Sequence, residues 1–315
     1  MGTVTHGASR TERQGVRRIE RAHAAGAVAI AVVLLASVGL GAIGLAAAHV
    51  GSLTQLSSAR VLDGSVAEAP TASFGTVHHS SSGNWAGYAD VAAAGTQVYQ
   101  ISASWFIPTT TCGEPNARGA ALNSQWVGID GFGNGNVSQV GTAGYCPYHG
   151  ASPTYYLWWE FYPYNSAQFV YTASAGDAIQ AYVLYNPSWC VNNVCGVFTL
   201  NLYDISSGNA INVVGGGWIC SSGGCEGGPA ATAECISEEA AGYQLAKYSP
   251  MFFYSCAATI GTTATGIGGF TNHQATTYAI TQYGPISGLK SQTVSSLSSV
   301  VYTNADFTIT WHRFT

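Results

Sequence analysis

The chain has 315 residues, 47% of them hydrophobic and only 8% charged, with 10 Lys and Arg against 15 Asp and Glu for a net charge of −5. So few basic residues, outnumbered by acids, argue against nucleic acid as a partner. Its few carboxylates need little protonation at low pH, so the composition suits an acid medium.

The N-terminus comes first. Arg10, Arg13, Arg17, Arg18 and Arg21 precede an uncharged, Ala/Val/Leu/Gly-rich run from Ala24 to Ala48. This is the pattern of a secretory signal, with Ala46-Ala47-Ala48 as a small-residue cleavage site. The run is also long enough to span a bilayer. Residues 1–48 are therefore expected to be a signal peptide or a membrane anchor, the only membrane contact foreseen. Either way, the residues after 48 face outside, because the positive charges stay inside. Removing 1–48 takes five basic residues and two acids (Glu12, Glu20), leaving five and thirteen, or −8. Residues 49–76 are Ser/Ala/Gly-rich and aperiodic, as in a linker or short propeptide.

From 77 to 315 one pattern runs without internal repeat. Tyr99, Ile101, Ala103, Trp105 and Ile107 alternate with polar residues, as do Phe198, Leu200 and Leu202, and Phe307, Ile309 and Trp311. Period 2 predicts half-buried antiparallel strands. Further strands are predicted near 123–130, 154–162, 178–185, 231–238, 251–259 and 275–283. No long helical stripe interrupts them, so an all-β sandwich is expected.

All eight cysteines follow residue 48, an even number in an oxidising compartment. Cys190–Cys195 and Cys220–Cys225 would close short loops. Cys112 with Cys146 and Cys235 with Cys256 are the simplest remainder, though spacing cannot fix connectivity. Cys-x-x-Cys is absent and no His lies at ligand spacing, so no metal or other cofactor is expected.

Three segments place scarce acids among aromatics: Trp126-Val-Gly-Ile-Asp130-Gly131, with Gln139 soon after; Trp158-Trp159-Glu160-Phe161-Tyr162-Pro163; and Glu234-Cys-Ile-Ser-Glu238. Side chains two apart on a strand share a face. Trp126 joins Asp130, Trp158 joins Glu160 and Tyr162, and Glu234 joins Glu238. If these faces line one sheet, they form an aromatic-walled groove with carboxylic acids, suited to an extended peptide or glycan. Acids in such surroundings have raised pKa values and suit acid–base chemistry. Alternation sends Glu239 to the face opposite Glu238. The sequence contains no His-Glu-x-x-His, Gly-x-Ser-x-Gly or Asp-(Thr/Ser)-Gly.

These residues resemble the glutamic peptidases, the eqolisin family of acid-acting endopeptidases. The similarity rests on Ser82-Gly-Asn84-Trp85-Ala-Gly87-Tyr88, the Trp126–Gly131 segment, Ser138-Gln139-Val140-Gly141-Thr142, Trp159–Pro163, Gly176-Asp177-Ala-Ile179 and Ala233–Glu238, in that order. It implies a sandwich of two antiparallel, roughly seven-stranded sheets of concanavalin A-like or jelly-roll type. It also implies a catalytic dyad of Gln139 and Glu238, with Trp126, Asp130, Glu160 and Tyr162 in the substrate-binding site. The implied protein is a secreted monomer acting on polypeptides. Departures are Phe161 in place of Trp, Cys235 beside the first Glu, and the Gly-Asn-Gly-Asn loop before Gln139. The alternative is a carbohydrate-active or carbohydrate-binding sandwich, with Trp126, Trp158 and Tyr162 stacking on sugar rings.

Overall fold

The computed structural model describes residues 75–113, 119–191, 194–216, 219–221, 224–226, 228–270, 273–284, 289–300 and 304–313. The expected signal or anchor and the linker lie outside the described residues, and so do the side chains of Cys220 and Cys225. Among the described residues no helix is long and apolar enough to cross a membrane.

Fifteen strands build the site and its support. They are β1 (Val77–Ser82), β2 (Trp85–Ala92), β3 (Val98–Phe106), β4 (Ala121–Ile129), β5 (Val137–Cys146), β6 (Thr154–Tyr162), β7 (Gln168–Ala173), β8 (Ala178–Val191), β9 (Val194–Asp204) and β10 (Ala210–Gly215). β11 (Thr232–Glu238), β12 (Met251–Ile260), β13 (Ala275–Tyr283), β14 (Lys290–Val294) and β15 (Asn304–Trp311) complete them. One hydrogen-bonded run has the order β1-β13-β2-β11-β4-β5-β6-β7. A second has the order β15-β12-β3-β8-β9-β10. Within both runs only β1 and β13 pair in parallel.

The runs are not the separate, roughly seven-stranded sheets that the resemblance implies. β14 pairs with both β13 and β15 and joins them, among the described residues, into one sheet of eighteen strands. The all-β, mainly antiparallel expectation holds. Apolar side chains of both runs meet in one core, among them Ile101, Trp105, Val183 and Leu200 from one run and Val127, Val140, Leu157 and Cys235 from the other. Two cross-links tie the layers at this core. The Cys235–Cys256 disulfide joins β11 to β12, and Trp105 Nε1 donates to Thr142 Oγ1 at 3.0 Å. Cys112–Cys146 and Cys190–Cys195 are also bonded.

β3 and β8 keep the alternation expected of strands with one solvated face. β4 and almost all of β5 are buried on both faces. Their second face is covered by a smaller apolar cluster that includes Trp126, Trp158, Val137 and Ile236. Gly141 makes room for it: a Cβ there would collide with the Gln125 carbonyl and approach Trp126 Cβ to 2.6 Å. The obstacles are backbone and the root of a side chain, which cannot swing aside. Gly141→Ala should therefore lower stability by about 1–3 kcal/mol, as overpacking does. Thermal unfolding of the variant at its most stable pH checks this, and an unchanged midpoint would contradict it.

Candidate active site

The covered face of β11, β4, β5 and β6 carries the site. Register fixes which side chains share that face. Glu234 lies opposite Gly128, Gly128 opposite Gln139, and Gln139 opposite Glu160. Four residues along, past Trp126 and Gly141, Glu238 lies opposite Ser124 and Ser124 opposite Ala143. Gly128 has no side chain, and a Cβ there would come within 2.8 Å of the Trp126 ring. The ring uses that space.

Above this face is a groove of about 600 Å³ lined by Asn84, Trp85, Gln139, Trp158, Glu160, Tyr162, Phe169, Tyr243 and Glu238, among others. Gln139 Nε2 donates to Glu160 Oε2 at 2.8 Å, while the buried Gln139 Oε1 has no partner. Glu238 is gripped on both oxygens. Trp126 Nε1 donates to Oε2 at 2.8 Å and Asn84 Nδ2 to Oε1 at 2.9 Å. Burial pushes the Glu238 carboxyl up to about 7; the charge of Glu160 adds to the rise, and the donors oppose it. Burial also raises Glu160, against the opposing Gln139 bond.

Of the residues expected at the site, Gln139, Glu238, Glu160 and Tyr162 line the groove. Trp126 and Asp130 do not line it. Trp126 is fully buried beneath it and acts on Glu238 through its indole N–H. Asp130 is fully buried in the turn after β4, at φ 71°. Its carboxylate accepts from Ala231 N at 2.7 Å, Ala230 N at 2.9 Å and Asn134 Nδ2 at 3.1 Å, so it braces the 131–136 loop. Glu234 is sealed under the same loop, accepting from Phe132 N at 3.3 Å. Glu239 turns away from the groove and accepts from Gln282 Nε2 at 2.6 Å. The asparagine of the Asn136-Val-Ser138 sequon is 2% exposed and has no room for a glycan.

Sequence reasoning assigned no role to Asn84, Phe169 or Tyr243. Asn84 was visible only as part of the Ser82–Tyr88 segment. Phe169 and Tyr243 stand on an edge strand and a loop that no motif marks.

Residues 83–213 match the model of the peptidase A4 family, a stretch holding Asn84, Trp126, Gln139 and Glu160. Over that stretch, less than half of the chain, the sequence is similar to the peptidase A4 family. Its fold is similar to two crystal structures of scytalido-glutamic peptidase. The one with a transition-state analogue inhibitor has TM-score 0.51 at 18% identity, and the one with a peptide-based transition-state analogue has TM-score 0.50 at 20% identity. Each comparison covers 73% of this chain and 98% of the other. The aspergilloglutamic peptidase of Aspergillus niger aligns over 61% of this chain and 99% of its own, with 22% identity and TM-score 0.45. No curated protein sequence matches the chain. The matched segment ends before Glu238, so the position of that residue rests on the β11 register.

Proposed function

We propose that this protein is a glutamic endopeptidase that hydrolyses peptide bonds with a Gln139–Glu238 dyad. The observation that carries the reading is that Gln139 and Glu238 face one groove, Gln139 held by Glu160 and Glu238 by Trp126 and Asn84. Hydrolysis needs an activated water, a donor for the developing oxyanion and an acid for the leaving nitrogen. The Glu238 carboxylate takes a proton from water as it attacks the carbonyl carbon. The Gln139 amide donates to the oxyanion, with Glu160 fixing which side of the amide carries its N–H groups. Protonated Glu238 then gives that proton to the nitrogen as the C–N bond breaks, which restores the carboxylate. Tyr162, Trp158 and Phe169 flank the bound chain.

The raised Glu238 pKa sets the working window. The base form must exist, which favours pH values near 7. The fold, in contrast, is stabilised by protonation of its buried acids. Both demands are met in weakly acidic medium, at pH of about 5–7. The three disulfides among the described residues fit an oxidising compartment. We place the catalytic domain at 77–315, outside the cell, after a cleaved or anchoring segment 1–48 and a linker 49–76, acting as a monomer on polypeptides.

The test uses an internally quenched peptide and denatured casein across pH 2–7, with and without chelator, beside a β-glucan reducing-sugar assay. Peptide turnover that survives chelator is expected. Glucan turnover without peptide turnover would support the sugar-acting alternative instead. Gln139 is uncharged, so its contribution is to charge that exists only in the transition state. Gln139→Ala should lower kcat by about 10²–10³-fold with little change in KM. A near-normal kcat would remove Gln139 from the dyad.

A further inference from the structure

The two donors that grip Glu238 are held very differently. Trp126 is locked by packing at zero exposure. Asn84 sits in the exposed turn between β1 and β2, where an amide would ordinarily swing in solvent. It is instead constrained from several sides. Ser82 Oγ donates to Asn84 Oδ1 at 3.0 Å and accepts from Asn84 N at 3.2 Å and Trp85 N at 3.1 Å. With Oδ1 occupied by Ser82, the amide must present Nδ2 to Glu238.

The main chain of the turn is tied as well. Glu239 N donates to Asn84 O at 2.9 Å. The fully buried Gln282 spans the turn and the end of β11, donating through Nε2 to Gly83 O at 3.0 Å and to Glu239 Oε2 at 2.6 Å. Gln282 is fixed in turn, because its Oε1 accepts from Gln292 Nε2 and Gln292 Oε1 accepts from the Tyr248 hydroxyl. That hydroxyl meets Ser237 Oγ at 3.1 Å, on the residue before Glu238. A buried line of hydrogen bonds thus leaves β11 at Ser237 and returns to the chain at Glu239, just past the strand's end.

We propose that Ser82, Asn84 and Gln282 form a positioning clamp for Glu238. Asn84 delivers an N–H to the carboxylate, while Ser82 and Gln282 hold the amide and its turn in place. This rests on the reading of Glu238 as the acid–base group. A donor to the ionised form makes that form easier to reach. Burial and Glu160 push the other way. The remaining titratable groups around Glu238 are Tyr162 and Tyr243 in the groove lining and Glu239 beside it. Without the Asn84 N–H, Glu238 should hold its proton to higher pH, and the base form should appear later.

The test compares wild type with Asn84→Ala, Ser82→Ala and Gln282→Met. Two readouts are used: the pH dependence of kcat and KM on a quenched peptide, and the Glu238 carboxyl band by infrared difference against Glu238→Gln. In Asn84→Ala the titration of that band should move up by about one pH unit. Turnover at pH 5 should fall about tenfold, at nearly constant KM. Ser82→Ala and Gln282→Met should shift it in the same direction by less. Ser82 is not buried, so its variant keeps the idea testable if Gln282→Met does not fold. An unmoved carboxyl titration in Asn84→Ala and Ser82→Ala overturns the clamp. Absence of Glu238-dependent turnover in wild type would instead overturn the proposed function, and the infrared titration would still decide the clamp.

Discussion

Glu238→Gln is expected to reduce peptide hydrolysis by about 10⁴-fold or more, beyond what loss of one proton-transfer step costs, because the same group serves both half-reactions. The substitution is nearly isosteric. A Gln side chain can still accept from Trp126 Nε1 or Asn84 Nδ2 through its oxygen, so the groove should keep its shape. Removing an ionisable group that burial pushes up to about 7 should also leave the domain at least as stable at neutral pH. Loss of turnover with an intact thermal transition is therefore the expected pair of results. Glu239→Gln is the control. Its oxygen can still accept from Gln282, and it does not face the groove. It should keep most of the activity. A dead Glu239→Gln beside an active Glu238→Gln would mean that the roles of these two neighbours are exchanged.

Alternation made the β structure legible wherever one face of a strand is solvated. The predicted strands at 154–162 and 275–283 match β6 and β13 at both ends. β5 went unread, although it carries Gln139. Its Val-Ser-Gln-Val-Gly-Thr-Ala-Gly sequence is neither apolar nor alternating. The reason is physical: both faces are covered, and Gly141 is required so that Trp126 can lie against the strand. The same fact explains the site. Period 2 reports which face a residue occupies, but not how deep it lies. Trp126, Asp130, Glu160 and Glu238 read as equivalent lining residues in the sequence. Trp85 and the 131–136 loop cover part of that face, so Trp126 becomes a support and Asp130 a brace. Asn84 is 154 positions from the carboxyl that it grips. No local pattern announces a contact at that separation.

Stability itself should fall as pH rises from about 4 to 7, opposite to the usual behaviour of salt-bridged acids. Asp90 and Glu234 are fully buried, and burial raises both, Asp90 to about 6 and Glu234 well above the usual carboxylate range. Asp90 is only partly compensated by Thr277 Oγ1 at 2.6 Å and Gly268 N at 3.0 Å. For Glu234, Thr232 and the Phe132 N–H oppose burial only in part, and the charges of Asp130 and Asp90 add to its effect. When a folded-state pKa lies above the unfolded value, the native state binds more protons between the two. The stabilisation is then complete below the unfolded pKa and is lost as pH climbs through the folded one. For Glu238, moving from 4.5 to about 7, the loss is about 3 kcal/mol. For Asp90, moving from 3.8 to about 6, it is of similar size, about 3 kcal/mol. Against a typical total of about 5–15 kcal/mol, two such losses approach the whole margin. Urea midpoints should be highest near pH 4 and lowest above pH 7. Glu234→Gln keeps the side-chain volume while removing one ionisation, and Glu234 does not line the groove. It should raise the midpoint at pH 7.5, leave it nearly unchanged at pH 4, and flatten the slope between them. A wild-type midpoint that is constant or rises from pH 4 to 7 would show that these carboxyls ionise in the folded protein as easily as in water.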